Sequence, residues 1–438
     1  MKNNHPKILI FSQTFNNFSG GGITLTNLFS GWPKDRIAVV SYSFMLAGIS
    51  TDICETYYQL GQDEIRWRFP FSLIQVPQQS GLIGSTTLSG KSVSGIGARR
   101  KQRPMSGLFN KFVKFLGLDQ CNSRIYISDR ISSWLEEYNP GLLYFQISNR
   151  ESIFFARELV GRLGIPSVIH MMDDWPSSIA DGSIFRYYWK GKVARELQQL
   201  MDKVDVHLSI CDEMSAEYQK RYGFNFHAFH NTIELDRWMR WAKKDLNIHG
   251  GTMNVLFSGR IGKGIQQSLV ELADAIDTLR RMGFDITLQI QSPRSDPAIL
   301  DQLKSYECVS INSTAEYERI PEIYSMADIL VIANDFHPKG IKFLKYSMPT
   351  KVPEYMISGT PILVYASPET ALFKFFHQNK CGHCVGIQSK EEIVHGIKLL
   401  FQDIDYREEL SQKAIAFAKE FFDSDIVRQR FHSLLRNL

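Results

Sequence analysis

Two stretches of the chain share one plan, and that plan restricts the fold more than any other feature. Ile8–Phe11 is an apolar run, Gln13–Asn17 a polar loop, and Ser19-Gly-Gly-Gly22 leads into Ile23–Phe29 at helical spacing. Much later, Asn254-Val-Leu-Phe-Ser258 leads into Gly259-Arg-Ile-Gly-Lys-Gly264 and then an amphipathic stretch over about 268–282. Strand, glycine-rich turn, helix is the opening of a nucleotide-binding βα unit, because glycine lets the backbone approach a ligand and the helix start offers free N–H groups. Neither stretch has the GxGxxG dinucleotide spacing. Apolar runs at 37–42, 142–146, 166–172 and 206–210, and again at 286–290, 328–333 and 362–365, alternate with helical patterns. Alternation of this kind predicts parallel sheets covered by helices, an α/β class.

At 438 residues the chain is long enough for two or three cores. A polar stretch from Glu234 to Gly251 separates the halves, so the expected domains are 1–240 and 250–420, followed by a terminal helix at 421–438. The formal net charge of +4 is too small for a nucleic-acid binder. No run of about 18 apolar residues occurs, and the start is too short and polar for a signal peptide. Six scattered cysteines fit reduced cytoplasmic thiols, so a cytoplasmic setting is the expectation. Cys381-Gly-His-Cys384 lacks the helix N-terminus that redox chemistry needs and reads as incidental.

The most informative stretch is Ser347–Ala366, read as a short helix and then a buried strand. Thr350 is placed to cap the first turn, Pro353 to sit within it, and Gly359 to stop the helix in the left-handed region before Pro361. Lys351 beside a helix start favours an anion. Glu354, one turn in, suits a pair of ribose hydroxyls. Arg260 and Lys263 on the glycine-rich turn add a planar fork and a point charge suited to a diphosphate. In the first half, His170 ends the strand Pro166–Met172 and is followed by Asp173 and Asp174. Strand carboxyl ends are where parallel sheets bind ligands. Asn231 is expected at the tip of a last short strand, 227–231.

Residues 77–120 look inserted. Ser85–Ser92 imitates a P-loop but lacks its first glycine, its strand and its helix. From Lys91 to Leu118 there are seven Lys or Arg and no acid, and Leu108, Phe112 and Phe115 share a helical face. That pattern fits an anionic membrane surface or a lipid-linked acceptor. The alternative is a solvated basic loop followed by a core helix.

Together these residues resemble the retaining nucleotide-sugar glycosyltransferases of the GT-B fold, in particular the large family 4. The likeness is carried by Gly20-Gly-Gly22, Val168-Ile-His170, Ser209, Asn231, Gly259–Gly264 and Pro349–Pro361, and spans most of the chain outside 77–120. It implies two Rossmann-like domains facing a central cleft, with the last helix crossing back to the N-terminal domain. It further implies that Arg260 and Lys263 hold the donor diphosphate and that Glu354 holds the ribose. Gly21, Gly22, Gly259, Met348, Pro349, Thr350 and Lys351 would line the donor, and His170 would face the transferred sugar. Asp173, Asp174, Asn231 and Tyr346 fall on the sugar and acceptor side. One position departs from the family: residue 346, eight before Glu354, is Tyr where a sugar-contacting Glu is usual. The Arg260-to-Lys263 spacing is also shorter than the commonest pattern.

The expected activity is transfer of a sugar from a nucleoside diphosphate sugar to the hydroxyl of a glycan or lipid-linked glycan in surface-polysaccharide assembly. No cofactor or metal is expected, since the cations and the helix start stabilise the leaving diphosphate and no DxD pair is suitably placed. The protein would be cytoplasmic, in peripheral contact with the inner face of the membrane through 91–118. Alternatives are a nucleotide-sugar epimerase of the same architecture and a weakened binding or scaffold protein, the latter prompted by Tyr346.

Overall fold

A computed structural model of the chain describes residues 5–69, 71–73, 77–83, 105–293, 297–313 and 315–438. The P-loop-like Ser85–Ser92 and five of the seven cations in 91–118 lie outside the described residues; Lys111 and Lys114 lie within them. The chain divides into two compact units, residues 1–229 with 428–438, and residues 230–427. Residues 230–240 thus pack with the second unit rather than the first.

Among the described residues, ten strands belong to the first unit: β1 (Ile8–Phe11), β2 (Ile37–Tyr42), β3 (Thr56–Leu60), β4 (Ile65–Trp67), β5 (Gly81–Leu82), β6 (Ser123–Ile125), β7 (Leu142–Phe145), β8 (Ser167–Met171), β9 (Val206–Ser209) and β10 (Phe226–Ala228). The main sheet runs β10-β9-β8-β7-β1-β2-β3-β5, parallel apart from β5, and β4 pairs antiparallel with β6. Strands β1, β2, β7 and β8 are buried on both faces, which is why they are continuous apolar runs. From β1 the chain steps to β2 on one side and later to β7 on the other. Phe11 therefore pairs with Val40 and with Phe145, which makes the carboxyl ends of these strands a topological switch point.

After β6 the chain forms a helix at Asp129–Tyr138. Ser128 sets its start by accepting from the Ile131 N–H, and Asn139 ends it in the left-handed region. The terminal helix Ser424–Arg436 inserts Phe431 against Phe29, Tyr144 and Phe229 of the first unit. Arg428 Nε donates to the Asn27 carbonyl at 2.8 Å.

Among the described residues, six parallel strands form the sheet of the second unit: β11 (Met253–Ser258), β12 (Ile286–Gln291), β13 (Val309–Asn312), β14 (Ile329–Ala333), β15 (Ile362–Tyr365) and β16 (His383–Val385). Their order is β13-β12-β11-β14-β15-β16. The direction of winding reverses between β11 and β14, the switch point at which doubly wound sheets bind nucleotides. The helix Gln266–Arg281 covers one face through Leu269, Leu272, Ala273, Ile276 and Leu279, an apolar stripe at helical spacing. Ile393, Ile397 and Leu400 of the helix Lys390–Gln402 complete that core. Helices at Pro297–Lys304 and Pro338–Leu344 are additions to the sequence expectation.

Candidate functional site

At the second unit's switch point, the carboxyl end of β11 is tied down from three sides. Lys351 Nζ donates to the Ser258 carbonyl and lies 4.4 Å from the Phe257 ring centroid. The Tyr355 hydroxyl accepts from the Ser258 N–H at 3.1 Å, and the Tyr324 hydroxyl donates to Ser258 Oγ at 3.2 Å. Gly259 follows at φ +145°, where a Cβ would stand 2.7 Å from Lys351 Nζ. The backbone angle favours glycine at this position, and a Cβ would displace the Lys351 ammonium.

Beyond it, Arg260 and Lys263 are exposed. Lys263 Nζ sits 5.0 Å from the Phe343 ring centroid. Among the described residues neither side chain has an acidic partner. The turn is held from below by Asp335, at the end of β14. Its N–H donates to the Gly264 carbonyl at 2.6 Å, and its carboxylate accepts from the Ser268 N–H and Oγ, each at 2.8 Å. Asp335 thereby satisfies a free N–H in the first turn of Gln266–Arg281. His337 accepts from the Gly340 N–H at 2.9 Å and caps the helix Pro338–Leu344.

The helix of the 347–366 stretch is Val352–Ile357, with Lys351 as its capping residue and no side-chain cap. Thr350 therefore does not cap it. The Thr350 carbonyl instead accepts from Asn231 Nδ2 at 2.8 Å, and Asn231 is fully buried. Asn231 is not a strand tip either, since β10 ends at Ala228. Its amide fixes the loop that carries Met348, Pro349 and Thr350. Gly359 ends the helix at φ +75°, as the sequence predicts.

Glu354 is 6% exposed, and among the described residues its carboxylate accepts no hydrogen bond. Burial pushes its pKa up to about 7, with Arg237 and Lys351 pulling it partly back. Burial likewise pulls the Lys351 ammonium down to about 8, opposed by Glu354. A desolvated carboxylate with vacant acceptor sites is suited to receive hydroxyl donors. Tyr346 lies between the two short helices, half-buried, with the Lys345 ammonium 5.8 Å from its ring centroid.

In the first unit, the glycine triplet is the first turn of the helix Gly20–Phe29 and not a loop before it. Ser19 caps that helix by accepting from the Gly22 N–H at 3.1 Å. A Cβ on Gly21 would meet Gln13 and lie 3.6 Å from Gln146 Oε1, and one on Gly22 would strike Asn16. Gln146, just past β7, donates to the Tyr144 hydroxyl at 3.4 Å, and that hydroxyl is 2.6 Å from His170 Nδ1. His170 is fully buried within β8. Gly21, Gln146, Tyr144 and His170 thus form a line of contacts at the switch point between β1 and β7. Gln146 and Tyr144 were not recognisable in the sequence, where nothing separates them from an ordinary buried strand.

Asp173 is exposed, whereas Asp174 is buried and committed elsewhere. Its carboxylate accepts from Arg221 at 2.8 Å, Tyr218 at 2.9 Å and Ser177 at 2.5 Å. Asp174 is a packing anchor for the helix Asp212–Tyr222, which corrects its placement on the sugar side. Burial pushes the Cys381 and Cys384 thiols up to about 12, far from the thiolate that redox exchange requires. Among the described residues no group of three His, Cys, Asp or Glu gathers to hold a metal, and no helix is long and apolar enough to cross a membrane.

No protein-family model matches the sequence, and no curated protein matches it. Solved structures do match in fold. Anabaena HepE, in complex with UDP and glucose, superposes with a TM-score of 0.63 at 12% identity, over 99% of this chain and 100% of that one. Sucrose-phosphate synthase from Thermosynechococcus elongatus gives 0.63 at 12%, over 98% of each chain. WaaG, a glycosyltransferase involved in lipopolysaccharide biosynthesis, gives 0.59 at 12%, over 98% and 99%. The chain therefore has the GT-B fold of two Rossmann-like units.

Proposed function

We propose that the protein is a glycosyltransferase that moves a sugar from a nucleoside diphosphate sugar to an acceptor hydroxyl. The carrying observation is the second unit's switch point, where two cations, Arg260 and Lys263, project from a glycine turn with no acidic partner among the described residues. On the helix that follows Lys351, the buried Glu354 carboxylate accepts no hydrogen bond among the described residues. In this reading the diphosphate lies on Arg260 and Lys263, and the ribose hydroxyls donate to Glu354. Gly259 and the backbone of Met348 to Lys351 lie alongside. When the bond between the anomeric carbon and the phosphate oxygen breaks, negative charge grows on the diphosphate, and the two cations stabilise that charge without a divalent metal. Retention of configuration, with the acceptor oxygen entering on the face the diphosphate leaves, follows from the family likeness.

In the first unit, Gly21 and Gly22 are assigned to the donor and His170 to the transferred sugar. An acceptor glycan, free or lipid-linked, is favoured by the exposed Phe112 (58%) and Phe115 (51%) beside Lys111 and Lys114. The same face supports peripheral contact with an anionic membrane. The matched HepE structure holds UDP and glucose, so UDP-sugars are the first donors to test. Calorimetry with a panel of nucleotide sugars, followed by product analysis with lipid-linked acceptors, tests the assignment. Sugar found on the acceptor supports it. Turnover without acceptor indicates an epimerase, and binding without turnover a scaffold. If no nucleotide sugar binds, the reading fails.

A further inference from the structure

A second cationic centre lies in the first unit and shares no residue with the donor site. A cavity of about 360 Å³ is lined by Arg68, Arg124, Arg150 and Lys192 against the single carboxylate of Glu196, with Phe154 and Trp189 in its wall. Glu196 is already engaged, since Arg150 Nε and Nη2 each donate to it at 2.6 Å. Arg124 reaches only Glu158, at 3.6 Å, and its buried Nε has no hydrogen-bond partner among the described residues. Arg68 and Lys192 have no acidic partner among them either.

The aromatic rings hold these charges close together. The guanidinium carbons of Arg124 and Arg150 lie 5.1 and 4.8 Å from the Phe154 centroid, and Arg150 and Lys192 lie 5.2 and 5.5 Å from that of Trp189. Like charges gathered in a partly closed cavity repel one another, and an unpaired buried N–H adds a desolvation cost. An oxyanion with several acceptors removes both penalties at once. We propose that this cavity binds the phosphate or diphosphate of an ester ligand, at a site separate from the donor.

The surroundings indicate where the ester's carbon portion lies. Cys121, in the cavity wall, ends the short turn that follows the helix Met105–Leu116. The Phe115 carbonyl of that helix accepts from the Ile184 N–H at 2.9 Å, placing Phe115 beside the exposed Ile184, with the exposed Phe185 and Tyr188 following in the chain. Lys192 Nζ in turn donates to the Tyr188 hydroxyl at 3.1 Å. A phosphate in the cavity therefore has an aromatic rim beside it, suited to a lipid ester and indifferent to a soluble one.

The test uses full-length protein carrying Arg260→Ala and Lys263→Ala, so that phosphate binding at the donor site does not confuse the result. Inorganic pyrophosphate is titrated by calorimetry, and sedimentation is measured with phosphatidylcholine vesicles with and without phosphatidic acid. Adding Arg68→Ala and Lys192→Ala, both away from the core, should weaken whichever interaction is present by roughly tenfold, with an unchanged thermal midpoint. Sedimentation only with phosphatidic acid, lost in that variant, assigns the lipid ester. Pyrophosphate binding without sedimentation assigns a soluble one. Absence of both, or binding that ignores the added substitutions, overturns the site. Neither outcome bears on donor binding.

Discussion

Replacing Glu354 by glutamine should stabilise the free protein and weaken donor binding, two effects of opposite sign from one carboxylate. Burial raises its pKa from 4.5 to about 7. The folded state therefore disfavours the ionised form, and wild-type stability falls as pH rises through that interval. A displacement of this size corresponds to about 3 kcal/mol above pH 7. Glutamine removes the charge but leaves an amide buried without a partner, which returns about 1–2 kcal/mol of the gain. The net stabilisation at pH 8 is then about 1.5 kcal/mol, a rise of roughly 4 °C in the melting midpoint of a unit this size. At pH 4.5 the wild-type carboxyl is protonated and the gain should vanish. Donor affinity, measured by calorimetry at pH 8, should fall roughly thirtyfold, because the amide keeps one neutral acceptor in place of a carboxylate facing two hydroxyls. Calorimetric melting of both proteins from pH 4.5 to 8 decides the first part. Equal stability at all pH values, or an unchanged donor affinity, would refute the assignment of Glu354 as a desolvated diol acceptor.

Two further substitutions separate structural from binding roles. Gly259→Ala places a Cβ 2.7 Å from Lys351 Nζ at φ +145°, so urea unfolding should report a loss of about 2–4 kcal/mol from backbone strain and a broken charge-assisted bond. Asp174→Asn leaves Arg221 only the Glu217 carboxylate, 2.8 Å away, and should destabilise the first unit by about 2 kcal/mol, while donor affinity in the second unit stays unchanged. A fall in donor affinity there would return Asp174 to the sugar side.

Much of the second unit's site was legible in the sequence because its chemistry is local. Gly259, Arg260 and Lys263 share one turn, and Lys351, Glu354 and Gly359 share one short helix with its ends. The supporting residues were not legible for a topological reason. Asp335 reaches Ser268 across 67 positions, and Asn231 reaches Thr350 across 119. Such pairs exist only once the sheet has reversed its winding between β11 and β14. Helix boundaries failed where a cap had competitors: Thr350 has a capping side chain, yet the chain starts the helix one residue later and uses the Thr350 carbonyl to bind Asn231. Asp174 misled for the opposite reason. An acid after a strand-end histidine has the pattern of a site, and only the packed Arg221 and Tyr218 reveal its anchoring role.

The most direct test of the central claim is the affinity of Arg260→Ala/Lys263→Ala for a nucleoside diphosphate sugar that the wild type binds. Both side chains are exposed and unpaired, so folding should be unaffected, and each charge-assisted contact to the diphosphate is worth about 1.5–3 kcal/mol. Calorimetry should therefore show at least a hundredfold loss for the nucleoside diphosphate sugar and little change for the free nucleoside. Wild-type affinity in the double variant, with the same melting temperature, would contradict the diphosphate site at the β11–β14 switch point.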